Sequence, residues 1–170
     1  MYTMKVNRPP TSPAVRDGKD GGMSQVVATA EGIVRAPADQ VSRALADYEV
    51  MRPRILPVQF SDYRVQSGGQ GAGTRVHWMF AATSRRVREQ LLDVTEPAPG
   101  TLVESDRNSS MVTTWTVLAE GTGGSTVKIR TTWDGAGGIG GFFERTFAPK
   151  GLGRVYVEML HRLDGELAAG

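Results

Sequence analysis

The stretch IGGFFERTFAPKGLGRVYVEMLHRLDGELA, residues 139–168, decides the fold. From Leu152 onward its apolar residues are Leu152, Val155, Tyr156, Met159, Leu160, Leu163 and Leu167. At about 100° per residue these fall within an arc of roughly 140°, the mark of a helix with one apolar stripe. Such a stripe needs an apolar surface to cover it, and the preceding chain offers mostly strands. Pro149, with Gly151 and Gly153 close behind, interrupts the stretch. It reads either as a plain loop before the main helix or as a hinge carrying residues 139–148, with Phe142, Phe143 and Phe147, as a lid.

Working back from the helix, residues 125–133, STVKIRTTW, alternate cleanly. Val127, Ile129, Thr131 and Trp133 share one face against Thr126, Lys128, Arg130 and Thr132. Residues 110–119 place Met111, Thr113, Trp115 and Val117 together, and residues 73–80 do the same for Val76, Trp78 and Phe80. Residues 84–95 put Val87, Glu89 and Leu91 on one side, and TLVESD adds a short strand. In residues 58–66, Phe60 and Tyr63 fall on opposite parities, which predicts a bulge near Ser61-Asp62. Residues 25–35 form the first strand. Pro37, then Val41, Leu45 and Tyr48, predict a short helix, and residues 49–57 a second between prolines. Short Gly-rich turns join the strands, so the pairing is antiparallel. Residues 1–23, rich in Pro and Gly, read as a flexible tail ahead of a domain over 24–170, and Met23 is a possible start.

The composition narrows the function. Net charge is +2, from 20 basic and 18 acidic residues among 170, which gives no surface built for nucleic acid. The chain has no cysteine, so thiolate nucleophiles, disulfides and Cys-based metal sites are excluded, and a reducing cytoplasm fits. No apolar run approaches the roughly 18 residues of a membrane span. The spacing of His and carboxylates suggests no metal site, and no cofactor is expected.

The first strand running into Ile33-Val34-Arg35-Ala36-Pro37, then Val41 and Asp47-Tyr48, resembles the START-like (SRPBCC) superfamily, in its polyketide cyclase/dehydrase and lipid-transport group. Thr114-Trp115-Thr116-Val117, Gly123 to Val127 and the long terminal helix extend the resemblance over roughly residues 25–168. It implies an α+β helix-grip fold. A curved antiparallel sheet of about seven strands wraps the C-terminal helix, two short helices follow strand one, and an apolar cavity lies between sheet and helix.

Trp78, Trp115 and Trp133 sit on the more apolar parity of their strands, so they either fill a core or line a pocket. Phe60, Phe80, Thr113, Thr131, Phe143, Tyr156 and Met159 complete the expected ligand-binding set. His161 lies about 160° from the stripe's centre and His77 alternates against Val76 and Trp78, so neither reaches the interior. Glu89 is either an inward carboxylate with a raised pKa or an exposed one paired with nearby arginines. With Tyr48, Tyr63 and Tyr156 it makes the candidate acid-base set.

These features lead first to binding or carriage of an apolar small molecule (lipid, isoprenoid or polyketide-like) by a monomer or homodimer. An aromatase/cyclase using the Tyr and Glu groups, and a protein-interaction module without ligand, are the alternatives.

Overall fold

The computed structural model describes residues 2–3, 25–135 and 149–170. In chain order the elements are β1 (Tyr2–Thr3), β2 (Gln25–Val34), α1 (Ala38–Ala46), α2 (Met51–Ile55), β3 (Phe60–Ser67), β4 (Arg75–Thr83), β5 (Arg86–Ala98), β6 (Thr101–Asp106), β7 (Val112–Glu120), β8 (Gly124–Asp134) and α3 (Pro149–Ala169). The strands form one antiparallel sheet in the order β1-β2-β8-β7-β6-β5-β4-β3. Seven long strands make the curved sheet of a helix-grip fold, and the two-residue β1 adds an edge by pairing Tyr2 with Gly32 and Thr3 with Glu31. The rest of the expected tail, and the lid expected over 139–148, lie outside the described residues.

The stripe on α3 is buried as its period requires: Leu152, Val155, Tyr156, Met159, Leu160 and Leu163 all face the sheet. Pro149 is the first described residue of the helix, and no proline interrupts it from there to Ala169. The helix lies chiefly across β2. Along its middle the inner face of β2 carries small residues, Ala28, Ala30 and Gly32, opposite Thr131, Ile129 and Val127 of β8, with Val26 and Val34 at its ends. Small side chains let the helix sit close on this flank. Toward β3, β4 and β7 the inner face carries Phe60, Phe80, Trp78 and Trp115, which hold the helix off and create the interior space.

Asp164 ties α3 to the end of β2. Its Oδ1 accepts the backbone N–H of Arg35 at 2.8 Å, and its Oδ2 accepts from Arg35 Nη2 at 2.7 Å. These hydrogen bonds from Arg35 hold the Asp164 carboxyl below its ordinary pKa. His161, one turn back, is exposed, as its angular position implies.

Two local features position the site. The bulge expected in β3 falls between Ser61 and Arg64, with Asp62 at φ 51°. The turn from β3 to β4 closes back on α1: Tyr48 N–H donates to Gly69 O at 2.9 Å and Gly71 N–H to Ala46 O at 2.8 Å. Gly68 sits at φ 71°, and a Cβ there would meet Thr74 Cα at 2.8 Å, so the turn needs glycine at this point. Asp47 Oδ1 accepts the N–H groups of Glu49 and Val50, setting the start of α2 and the direction of Arg52.

Candidate functional site: a small cavity between the sheet and the long helix

Between the concave face of the sheet and α3 lies a cavity of about 30 Å³. Its walls are mainly apolar. Phe60, Trp78 and Phe80 come from β3 and β4, Trp115 from β7, and Leu152, Tyr156 and Met159 from α3. The volume matters: about 30 Å³ holds a single water-sized group, whereas small-molecule pockets run to roughly 300–1,000 Å³. The open apolar cavity implied by the family resemblance is therefore nearly closed in this conformation. Large rings fill it, as the core-filling reading of the tryptophans required. A wider depression of about 380 Å³, lined by Ser42, Arg43, Gln70 and Glu96 among others, lies open on the surface and is separate from this interior.

One side of the cavity is polar and charged. Arg52, only 1 % exposed, and Glu104, 4 % exposed, meet with Nη2 2.8 Å from Oε1. Tyr48 OH donates to Glu104 Oε1 at 2.7 Å and accepts from Arg52 Nη2 at 3.0 Å. Trp115 Nε1 donates to the other oxygen, Oε2, at 2.9 Å. The guanidinium carbon lies 4.7 Å from the centre of the Tyr48 ring and 4.6 Å from that of Trp115, so its flat faces meet aromatic rings. Burial works against the Arg52 charge, yet the Glu104 carboxylate and the neighbouring tyrosines hold its pKa above the ordinary arginine value.

The tyrosines are locked as neutral donors. Burial pushes Tyr48 well above its ordinary pKa, with the Glu104 charge adding to the effect. Burial also raises Tyr63, whose OH donates to the Tyr48 carbonyl at 2.5 Å while its ring stacks on Trp78. Tyr156 is pushed up to about 12 by burial. Its OH lies 2.6 Å from Thr131 Oγ1 and 3.3 Å from Thr113 Oγ1, and the two Thr oxygens are 2.9 Å apart, so three hydroxyls satisfy one another. None of these phenols is a base near neutral pH.

Of the residues expected to line a pocket, Phe60, Trp78, Phe80, Thr113, Trp115, Tyr156 and Met159 do line the cavity. Thr131 and Trp133 are buried behind its wall, and Phe143 lies outside the described residues. Tyr48 and Tyr63 support the wall from behind. Glu89 is not in the cavity. Trp78 pairs with Gln90 and Val76 with Leu92, so the inward residues of β5 are Gln90, Leu92 and Val94. Glu89 is exposed on the convex face, where its Oε1 lies 3.0 Å from His77 Nε2, not against the arginines weighed as its partners. His77 is on that outer face too, yet it is buried, because the β3 bulge brings Asp62 O to 3.0 Å from its Nδ1.

The sequence reading missed Arg52, Glu104 and Gln90. Glu104 was legible, since it shares the parity of Leu102, which is buried. Gln90 is tolerated inside because its Oε1 accepts Trp78 Nε1 at 2.8 Å. Among the described residues, no three His, Asp or Glu side chains gather as metal ligands would, and no helix is long and apolar enough to cross a membrane.

A curved antiparallel sheet gripping one long helix over an interior cavity defines a START-like protein. The chain belongs to the polyketide cyclase/dehydrase and lipid transport family, whose model matches residues 25–168. Among solved structures it is similar to the KanY protein (ms6282), with 45% identity, a TM-score of 0.77, and coverage of 86% of this chain and 99% of that one. Two others share the fold. They are a START superfamily protein from Mycobacterium smegmatis (10% identity, TM-score 0.63, 84% and 97% covered) and the Zhui aromatase/cyclase from Streptomyces sp. R1128 (15%, 0.62, 84% and 93%). No curated protein matches the chain.

Proposed function

We propose that this protein binds a small apolar molecule between the sheet and α3, and that its interior opens to admit it. The observation behind this reading is an apolar, ring-lined cavity that ends on a buried ionic cluster, in a family of cyclases and lipid carriers. A core with no ligand to receive gains little from an Arg–Glu pair, because apolar residues of like volume are often as stable. The opening wall is the one built from adaptable side chains. Met159 and Leu152 on α3 and Met111 before β7 can change rotamer without leaving an interlocked ring behind.

Native mass spectrometry on freshly purified protein tests this. A non-covalent adduct that organic extraction removes is the expected result. A bare mass, together with no response to any apolar compound in solution, would reject it.

Glu104 gives the cyclase reading its one specific support, as a carboxylate on the cavity wall beside Tyr48. Glu89 no longer contributes to it, and the phenols enter only as donors that orient a carbonyl. The docking-module reading would rest on Ile33 and Leu118, which flank Thr126 on the outer face. Two side chains fall short of the several hundred Å² of a docking patch.

A further inference from the structure

The polar groups walling the cavity are unevenly matched. Every acceptor already has a donor. Glu104 Oε1 is met by Tyr48 and Arg52, its Oε2 by Trp115, and Gln90 Oε1 by Trp78. The donors are not all matched. Arg52 spends Nη2 on Leu45 O at 3.1 Å, on Tyr48 OH and on the ion pair. Its Nε and Nη1, both shut off from solvent, meet no acceptor among the described residues. Those two nitrogens carry three N–H groups. With its flat faces against Tyr48 and Trp115 and its Nη2 corner committed, the guanidinium has only these N–H edges left to offer a ligand.

Charge narrows the ligand further. Arg52 and Glu104 neutralise each other, and the remaining polar wall groups, Gln90, Thr113 and the raised-pKa Tyr156, are uncharged. A ligand carboxylate would therefore bury an uncompensated negative charge. A ligand ammonium or hydroxyl donor would find acceptors that are already engaged. A neutral carbonyl oxygen accepts from the free N–H groups and leaves the cluster's charge balanced.

We infer that the molecule received by this cavity is an apolar compound bearing a neutral carbonyl, and that Arg52 holds the carbonyl oxygen through Nε–H and Nη1–H. This inference rests on the cavity-binding reading above and names the chemistry of its ligand. Arg52 is thus a specificity-determining residue, and Glu104 positions it.

Three probes of nearly equal shape test it at pH 7: acetophenone, ethylbenzene and benzoate, each titrated into the full chain and followed by protein-observed NMR. Acetophenone should bind about tenfold or more tightly than ethylbenzene, the gain of one hydrogen bond to a charged donor. Benzoate should bind no better than ethylbenzene. In Arg52→Met with Glu104→Leu, which removes both charges together, ethylbenzene should still bind and the preference for acetophenone should vanish. Equal affinity for acetophenone and ethylbenzene, or tightest binding of benzoate, would overturn the carbonyl inference and leave the cavity reading standing. Binding of none of the three up to their solubility would count against the cavity reading itself and remove the inference with it. Because the probe comparison is made on the unaltered protein, it stands even if the double variant does not fold.

Discussion

Two carboxylates on neighbouring strands show how this sheet separates its faces. Glu104 on β6 points to the concave side, where Arg52, Tyr48 and Trp115 surround it and solvent is excluded. Glu89 on β5 points to the convex side, half-open to water, with His77 as its partner. A carboxylate within the wall is bound into a network that has no solvent to fall back on. One on the outer face can lose its partner to water at little cost. Removing one member of the inner pair should therefore cost far more stability than removing one member of the outer pair.

The sharpest way to break that contrast is to remove one charge on each face. Arg52→Met should destabilise the fold by about 3–5 kcal/mol, a fall in Tm of about 10 °C by calorimetry, because Glu104 is left charged and buried. Adding Glu104→Leu should recover a large part of that loss, since the two groups act as one unit. If the double variant is as unstable as the two single changes summed, the cluster is not coupled as described.

Alkaline titration sharpens the same point. Tyr48, Tyr63 and Tyr156 have folded pKa values raised above the ordinary value near 10, so their contribution to stability is complete below that pH. It is lost as pH rises through the folded values. Ultraviolet difference spectra should show these three phenols ionising only together with unfolding. Ionisation of all four tyrosines of the chain near pH 10 with the fold intact would contradict their burial.

Asp164 offers an intermediate case, held by an exposed arginine but itself largely covered. Its folded pKa is lowered, so the stability it adds is present above roughly pH 4 and is lost as pH falls through the folded value. Asp164→Asn should cost about 1–2 kcal/mol at pH 7 and converge with the parent protein in acid. A constant difference across pH 2–7 would show that the ion pair is not the source. The smallest effect belongs to the convex face. Glu89→Gln should change stability by less than about 0.5 kcal/mol and leave probe binding unchanged.

The difference between the faces also explains which parts of the molecule were legible. The stripe of α3 and the alternation of β8 could be read because each is long and faces one surface throughout. Strand β5 left the side of Glu89 open because its apolar residues divide between faces. Val87 lies outside with Glu89, while Leu92 and Val94 lie inside with Gln90. A polar residue holds the inward position there only because Trp78 needs an acceptor, a fact of the neighbouring strand. Arg52 lies on a five-residue helix with Pro53 inside it, too short to show a period, and its burial depends on Glu104 far along the chain. Pairings across the fold decided the site, and single-strand alternation does not contain them. The near-closure of the cavity was likewise invisible, since it depends on how large rings from β3 and β4 pack against one another and how Trp115 packs against Tyr156.

The central claim is that ligand enters between the concave face and α3. Methyl-labelled methionine reports it directly, because Met111 and Met159 line the cavity while Met79 lies on β4 opposite Glu89, on the convex side. Titration with acetophenone should shift the methyl signals of Met111 and Met159 together, with through-space contacts to the probe, and leave Met79 unmoved. Saturable binding that moves Met79, or that leaves both cavity methionines in place, would contradict the account.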